Sequence, residues 1–310
     1  MVSPFADTET SFSAATSSGQ WVKVSGIGLG TTYRITYLTN EPGTYDLEIT
    51  LLLRQFSRAL SVFEPDSEVS RFNRAGRLRF ESPYVYPVLR ASAEVFALTD
   101  GAFDPTVGAL VEAYGFGRTG RRIDPSGQFD TEHSVVGFEY VQFDQEQVWR
   151  THPDVRLNFN AIAKGYAVDM VGQFLEGRGV GRYLVEIGGE VRGWGLNPQG
   201  EPWRIGITDP RAEGQLSTVI PLTNRALATS GNYRNRYEQD GLEYTHLMNP
   251  KTGQMSQTDL LSVTVVADDC MTADALATAF VIMGTQKTRP FLLQHPQWQA
   301  YLIPHSDFAV

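Results

Sequence analysis

Cysteine is nearly absent from this chain, since Cys270 is the single cysteine among 310 residues. One thiol excludes an intrachain disulfide and any metal site that is built from several cysteines. We expect Cys270 to be a small buried apolar side chain, which is the usual environment of a free cysteine. The cysteine content therefore leaves the redox compartment of the protein open.

Long apolar runs and an excess of positive charge are also missing. No stretch approaches the length of about 18 apolar residues that a membrane-spanning helix requires. The formal net charge is -9, which argues against sequence-independent nucleic-acid binding because such binding requires a positive surface. Hydrophobic residues make up 42% and charged residues 20%, so the composition is that of an ordinary globular protein.

The first twenty residues differ from the rest of the chain. Residues 1–20 are rich in serine, threonine and alanine, and they lack the basic start and the apolar core of a signal peptide. We expect a flexible leader over residues 1–20 and a single domain over residues 21–310. If a targeting segment was removed, the expected location is the periplasm or the face of a membrane; otherwise it is the cytoplasm.

Hydrophobic periodicity predicts a mixture of helices and strands. Apolar residues at helical spacing predict helices over residues 46–62, 87–99, 162–176, 272–283 and 288–294. Alternating or β-branched runs predict strands over residues 31–38, 155–159, 183–187, 190–194, 203–207, 218–222, 226–229, 243–248, 262–266 and 298–303. Several strands follow one another through turns rather than helices. This pattern predicts an α+β fold with mixed, largely antiparallel sheets packed with helices, and not a doubly wound parallel sheet.

Asp274 and Thr278 form the pair with the clearest chemical potential. They stand four residues apart at the start of a predicted helix, so both side chains project from one face. A carboxylate and a hydroxyl are hard oxygen ligands, which suit Mg²⁺ better than zinc. The other interpretation is a surface carboxylate beside a threonine that bonds its own helix backbone. The two residues alone favour this second interpretation.

Further polar positions have both a chemical and a structural interpretation. Lys164, at the start of a predicted helix, either holds a phosphate or is an exposed lysine. Asp104 or Thr106 can cap the helical stretch that follows them. His246 suits proton transfer at neutral pH, although a lone histidine is more often structural. Residues 186–190 (EIGGE) place two carboxylates around a diglycine hairpin turn whose role towards a ligand is open.

Eight segments between residues 29 and 284, taken together and in this order, resemble the ApbE family, the FAD:protein FMN transferases. Eight ordered segments are far more specific than any one of them. The matching segments are LGTTYRI (29–35), LSVFEPDSEVSRFN (60–73), DGAFDPTVGALVEAYGFG (100–117), NFNAIAKGYAVD (158–169), YLVEIGGEVRGWG (183–195), ATSGNYRNRY (228–237), THLMNPKTG (245–253) and SVTVVADDCMTADALATAF (262–280).

The resemblance implies a compact α+β fold and a particular reaction. In that reaction, the FMN part of the substrate FAD is transferred, with Mg²⁺, to a threonine or serine hydroxyl of an acceptor flavoprotein that carries a Ser/Thr-Gly-Ala-Thr-like segment. The product is a phosphoester-linked flavin, and AMP is released. Two other functions use the same residues: an Mg²⁺-dependent FAD pyrophosphatase that forms FMN and AMP, and a flavin-binding protein without turnover.

The resemblance also assigns residues. The family's metal ligands fall on Asp274, Thr278 and the backbone carbonyl of Ala161, with Ala277 at their flank. His246 matches a family histidine that assists deprotonation of the acceptor hydroxyl, and Asp274 counts with it as catalytic. The positions that bind the flavin nucleotide fall on Leu29, Phe63, Ala102, Phe103, Asp104, Asn158, Lys164 and Met248.

Four positions qualify this match. Arg234 and Arg236 either help to hold the pyrophosphate or are solvated surface side chains. The family usually has aspartate at the position of Asn249, and it often has an acidic residue at the position of Asn158. Neither departure falls on an expected metal ligand, so we expect activity to survive both.

Overall fold

The computed structural model describes residues 19–116, 135–212, 214–231, 236–239 and 242–305. The expected leader, up to residue 18, lies outside the described residues, and so do Arg234 and the side chain of Arg236. The first strand begins at Gln20, so the last residue of the expected leader already belongs to a sheet.

The predicted helices are confirmed. The helices of the described residues include α1 (Asp46–Leu60), α2 (Glu68–Ala75), α3 (Val85–Leu98), α4 (Gly108–Ala113), α5 (Ala163–Gly177) and α6 (Cys270–Gln294). The two helices predicted at the C-terminal end are the two halves of α6, which breaks at Gly284, where φ is 69°. The carboxylate of Asp259 accepts the backbone N–H of Thr285 at 2.9 Å and so satisfies the helix start after the break. None of the helices in the described ranges has the length and apolar character that crossing a membrane requires.

The strands belong to one large sheet and several small ones. They are β1 (Gln20–Gly28), β2 (Thr31–Thr39), β3 (Arg77–Arg79), β4 (Val141–Phe143), β5 (Gln147–Arg150), β6 (Tyr183–Ile187), β7 (Glu190–Trp194), β8 (Trp203–Thr208), β9 (Leu216–Leu222), β10 (Arg225–Gly231), β11 (Arg236–Gln239), β12 (Leu242–Thr245), β13 (Met248–Asn249), β14 (Gln254–Met255), β15 (Leu260–Ala267) and β16 (Gln299–Pro304). The strand predicted over residues 243–248 is divided between β12 and β13.

The central sheet has seven strands in the order β1-β2-β6-β7-β10-β15-β16. Each neighbouring pair in this sheet is antiparallel. The remaining strands form the small sheets β3-β5-β4, β8-β9, β11-β12 and β13-β14. The predicted α+β fold with largely antiparallel sheets is therefore confirmed.

Both faces of the central sheet are covered, because alternate side chains along a strand point to opposite faces. Val185 and Val263 belong to the main core, which the sheet shares with α1, α5 and α6. Val191 and Val266 face the other way and pack with Trp203 of the β8-β9 hairpin. The helical face is the one that positions the candidate site.

The strand predicted over residues 155–159 is wrong. The segment makes one isolated parallel bridge, between Arg156 and Val107. The side-chain amide of Asn73 donates to the carbonyl of Leu157 at 2.8 Å and accepts its N–H at 2.8 Å. A side chain that comes from far away in the sequence thus replaces the neighbouring strand, so the apolar residues of this run are buried without joining a sheet.

The start of α6 is fixed by two carboxylates. Asp269 accepts the backbone N–H of Thr272 at 2.7 Å as an N-cap. Asp169 on α5 accepts the first two N–H groups of α6 at 3.0 and 2.8 Å, and it also pairs with Arg192 of β7 at 2.8 Å. Burial raises the pKa of Asp169 to about 6, although these hydrogen bonds oppose the change. Asp169 thereby ties α5, α6 and the central sheet together.

We expect Asp169→Ala to lower the free energy of unfolding by about 3 kcal/mol, because it leaves two helix N–H groups without their acceptor and removes the closer carboxylate partner of the largely buried Arg192. Urea denaturation followed by circular dichroism measures this loss. The control is Asp268→Ala, which removes an 84% exposed carboxylate paired with Arg225 at 3.1 Å and should cost less than about 1 kcal/mol. Equal losses in the two variants would show that the Asp169 contacts do not anchor α6.

Candidate functional site

The first turns of α5 and α6 touch at a glycine. A Cβ atom at Gly165 would lie 2.2 Å from the carbonyl oxygen of Cys270 and 2.8 Å from Cβ of Asp274. Only a residue without a side chain allows this approach. The approach lets the backbone N–H of Gly165 donate to Oδ2 of Asp274 at 3.0 Å. The packing of the two helices therefore sets the position of the Asp274 carboxylate.

Asp274 and Thr278 lie on a buried face of α6. Asp274 is 4% exposed, and Thr278 is also buried. The hydroxyl of Thr278 lies 3.1 Å from the hydroxyl of Ser230 on β10. The interpretation of Asp274 as a surface carboxylate, which the two residues alone had favoured, is therefore wrong: the contact between α5 and α6 removes it from solvent.

Lys164 forms an ion pair that the sequence did not predict. Its ammonium donates to Oε1 of Glu190, the first residue of β7. Glu190 is 1% exposed, whereas the Lys164 side chain is 34% exposed. Within the described ranges, Oε2 of Glu190 is buried and has no hydrogen-bond partner. Lys164 is thus neither a fully solvated lysine nor a fully buried one.

Glu190 could have been found from the hairpin register. It pairs directly with Ile187 across the turn that Gly188 and Gly189 make, and both glycines have positive φ. Residues opposite each other in an antiparallel pair share a face of the sheet. Ile187 belongs to the main core, so the register directs Glu190 towards the helices and α5.

Electrostatic interactions join Lys164, Glu190 and Asp274. Burial raises the pKa of Asp274 and of Glu190, and the charge of Lys164 opposes both changes. Burial alone would lower the pKa of Lys164, but the two carboxylates outweigh it and raise this pKa above its usual value. When all three groups are ionised, two carboxylates face one ammonium and leave the cluster with an excess negative charge. Such a cluster attracts a cation.

Ala161 and Asn158 lie in the segment that leads into α5. Asn158 is buried, its N–H donates to the carbonyl of Pro105 at 2.7 Å, and its Oδ1 accepts the N–H of Asn160 at 3.0 Å. Ala161 is partly buried against the main core two residues before α5 begins. The segment from Asn158 to Gly165 therefore brings the predicted nucleotide positions Asn158 and Lys164 and the predicted metal position Ala161 to the start of α5.

Asp104 stabilises its own loop instead of a helix. Its Oδ1 accepts the N–H and the hydroxyl of Thr106 at 2.7 and 2.6 Å, and the Thr106 oxygen accepts the N–H of Gly137 at 2.8 Å. The predicted capping by Asp104 or Thr106 is wrong, since α4 begins after Val107 and has no side-chain cap. Burial raises the pKa of Asp104 to about 6, against the effect of its hydrogen bonds with Thr106.

A pocket of about 300 Å³ opens beside this loop. Asp104 and Gly101 line it from one side, and Pro250 and Lys251 line it from the other. Lys251 forms an ion pair with Asp100, which holds the two turns together. The buried residues Ala102 and Phe103 belong to the main core behind the loop.

Four other predicted positions lie on separate turns and edges. Leu29 has a φ of 54° in the β1-β2 turn, and Phe63 follows α1 and is 51% exposed. Met248 is buried in a small cluster with Tyr114. His246 lies between β12 and β13 with its ring 6.2 Å from that of Phe116. Leu29 and Phe63 take no part in the hydrogen bonds around Asp274 that the structure describes.

The donor set around Asp274 suits a hard cation. No group of three or more His, Cys, Asp or Glu side chains in the described ranges could hold a metal ion. The ligand set that the resemblance implies has one carboxylate, one hydroxyl and one backbone carbonyl, so it consists of oxygen atoms only. Mg²⁺ is commonly held by one or two carboxylates and keeps several waters. The residues present therefore fit Mg²⁺ and do not resemble a zinc site.

The fold and the site define this chain as an α+β protein that carries a buried carboxylate and a buried hydroxyl on one face of a helix. The sequence model of the ApbE family matches residues 29–302. The chain is 37% identical over 276 residues to the FAD:protein FMN transferase of Vibrio cholerae, which covers 86% of this chain and 82% of that protein. It is 34% identical over 303 residues to the enzyme of the same name from Haemophilus influenzae, covering 92% and 87%.

Solved structures agree with these matches. The flavin transferase ApbE from Vibrio cholerae superposes with a TM-score of 0.82 at 35% identity, covering 93% of this chain and 95% of that one. The apo flavinyl transferase ApbE from Pseudomonas stutzeri gives a TM-score of 0.83 at 31% identity, with 94% of each chain covered. The chain belongs to the ApbE family.

We expect Gly165→Ala to reduce stability strongly, because the added methyl group meets backbone that cannot move without separating α5 from α6. The loss in free energy of unfolding should be about 1–3 kcal/mol, as for overpacked cores. Gly177→Ala, at the end of the same helix, meets nothing within 4 Å and should be neutral or slightly stabilising. Thermal and urea denaturation of both variants measure the difference. A tolerated Gly165→Ala variant would contradict the described contact.

We expect the stability effect of Asp104→Asn to depend on pH. The folded-state pKa of Asp104 is about 6, above its usual 3.8, so the folded state binds this proton more tightly. Stability from the protonated carboxyl is present below about pH 4 and is lost as pH rises to about 6, by up to roughly 3 kcal/mol. The unfolding free energy of the wild type relative to Asp104→Asn should therefore fall as pH rises from about 4 to about 6.

A control separates this effect from general acid sensitivity. The N–H of Glu146 lowers the pKa of the exposed Asp144, so this carboxyl titrates below pH 4. The effect of Asp144→Asn on the unfolding free energy should therefore stay nearly constant between pH 4 and pH 6. A flat difference for Asp104→Asn across the same window would show that Asp104 titrates as an ordinary carboxyl.

Proposed function

We propose that this chain transfers FMN from FAD to a serine or threonine hydroxyl of an acceptor flavoprotein, forming a phosphoester-linked flavin and releasing AMP. FAD is thus a substrate. Membership of the ApbE family and relatives named FAD:protein FMN transferase along most of the chain support this proposal. The observation that carries it is the buried Asp274, one helical turn before Thr278, beside the Lys164–Glu190 ion pair.

Cleavage of a pyrophosphate requires positioning and neutralisation of charge more than covalent participation of the protein. Asp274, Thr278 and the carbonyl of Ala161 would hold Mg²⁺, which when bound neutralises charge on the phosphates. Lys164 adds a point charge for phosphate at the start of α5. The packing around Gly165 fixes Asp274 before any ligand arrives, so these groups need little rearrangement.

His246 would act on the acceptor. The acceptor oxygen attacks the phosphorus of the FMN part, and the bond between this phosphorus and the oxygen that leaves with AMP breaks. The hydroxyl proton passes to His246, because a neutral imidazole accepts a proton readily near pH 7. His246 lies partly buried between β12 and β13, where a segment of another protein would have to reach it. We propose that this segment is Ser/Thr-Gly-Ala-Thr-like.

The flavin nucleotide would extend from this centre over the neighbouring loops. The half-exposed ring of Phe63 offers a surface for stacking on a flat heterocycle. Leu29 and Met248 supply apolar contacts, and the loop of Ala102, Phe103 and Asp104 borders the pocket beside Lys251. Asn158 joins that loop to the start of α5, because its backbone N–H donates to the carbonyl of Pro105.

The function is tested by incubating the protein with FAD and Mg²⁺, with and without an acceptor flavoprotein that carries such a segment. Transfer requires AMP and an equal amount of acceptor whose flavin fluorescence survives denaturing electrophoresis. AMP without labelled acceptor would indicate an FAD pyrophosphatase. Bound FAD without any AMP would indicate a flavin-binding protein. Chelation of Mg²⁺ with EDTA should stop the reaction.

We expect Asp274→Ala to reduce AMP formation by at least about 100-fold, since it removes the only side-chain charge among the proposed metal ligands. Chromatographic measurement of AMP at saturating FAD provides the rate. Asp268→Ala alters an exposed carboxylate a few residues earlier in the chain and should leave the rate unchanged. Full activity of Asp274→Ala would refute the assignment of this site.

A further inference from the structure

Glu190 is a buried carboxylate that the proposed reaction leaves without a role. Its Oε1 accepts the ammonium of Lys164, and its Oε2 is buried with no hydrogen-bond partner in the described part of the chain. A buried carboxylate that is only partly satisfied is costly, and an apolar residue of similar size would often be at least as stable. Stability alone therefore does not explain a carboxylate at this position.

The backbone places Lys164 next to the Asp274 carboxylate. Lys164 directly precedes Gly165, whose N–H donates to Oδ2 of Asp274 at 3.0 Å. A lysine has a flexible four-carbon stem, so its ammonium has a short path to that carboxylate. In the described ranges, however, no ion pair within 4.0 Å joins Lys164 to Asp274; the ammonium pairs with Glu190 on β7 instead.

An ammonium and a divalent cation compete for the same carboxylate. Two opposite charges at contact attract each other strongly in a site with little water, and a Lys164–Asp274 pair would occupy Asp274. Glu190 offers the ammonium a second carboxylate on a different element, and the register of the β6-β7 hairpin fixes its position.

We propose that Glu190 is a positioning residue that holds the ammonium of Lys164 away from Asp274, so that Asp274 stays available to a divalent cation. The inference rests on the proposed function, because it assumes the metal site at Asp274 and Thr278. Glu190 itself is not one of the proposed metal ligands. Lys164 remains one-third exposed in this arrangement, and its charge therefore still reaches a phosphate on the solvent side.

Binding of Mn²⁺ to the flavin-free protein tests the inference without measuring turnover. Electron paramagnetic resonance reports free Mn²⁺, and added Mg²⁺ identifies the shared site by displacement. We expect Glu190→Gln to weaken Mn²⁺ binding by about 10–100-fold, the usual effect of losing a partner that orients a metal site. Lys164→Met should bind Mn²⁺ at least as tightly as the wild type.

The double variant Glu190→Gln/Lys164→Met decides how Glu190 acts. Without the ammonium there is no competitor, so we expect Mn²⁺ binding to return to the level of Lys164→Met. If the double variant binds as weakly as Glu190→Gln, Glu190 acts through its own charge or through the fold, and the inference is overturned. It is also overturned if Glu190→Gln binds Mn²⁺ as the wild type does.

Two controls complete the design. Glu176→Gln removes a carboxylate that pairs with Arg192 at 3.4 Å and should leave Mn²⁺ binding unchanged. Asp274→Asn should abolish binding. If the wild type does not bind Mn²⁺, or if Asp274→Asn still binds it, the metal site of the proposed function fails and the inference fails with it. Loss of binding in Asp274→Asn with normal binding in Glu190→Gln overturns the inference alone.

Discussion

The close contact between α5 and α6 at Gly165 is the constraint on which the rest of the site depends. Because residue 165 has no side chain, the backbone of α5 approaches the first turn of α6 closely enough for its N–H to bind Asp274. Burial raises the pKa of Asp274, and the charge of Lys164 and the hydrogen bond from Gly165 oppose this change. Asp169 holds the two helices together from the other side by accepting the first N–H groups of α6. One packing contact thus determines the position and the burial of the central carboxylate.

The antiparallel sheet contributes the remaining groups around that carboxylate. The β6-β7 hairpin carries Glu190 to Lys164, and β10 carries Ser230 to the hydroxyl of Thr278. These groups come from strands that are adjacent to each other in the sheet, and they face the two helices. A buried polar cluster of this kind is destabilising unless its members pair, so we infer that its charges serve a ligand. The match to the ApbE family over residues 29–302 agrees with a ligand that carries phosphate.

Much of the fold could be predicted because its signals are local. Alternation over residues 183–194 and the glycine pair between them predicted the hairpin, and apolar spacing predicted α1, α3, α5 and both halves of α6. The segment over residues 155–159 was wrongly predicted as a strand because its partner is the side chain of Asn73, distant in the sequence. The capping role of Asp104 was wrong for a similar reason. Its carboxylate bonds Thr106 within a loop that Gly137 completes from a later part of the chain.

By itself, the sequence determined the class of fold and the family resemblance, since these depend on residue types and motifs that can be read along the chain. Asp274 and Thr278, taken without the resemblance, were more plausible as a surface carboxylate and a helical threonine than as metal ligands. Only the tertiary structure decided that Asp274 is buried, because burial and charge pairing arise between residues that are far apart in the chain. Lys164 and Glu190, and Gly165 and Asp274, come together when the sheet forms and the two helices pack on it. Their electrostatic coupling therefore exists only in the folded protein.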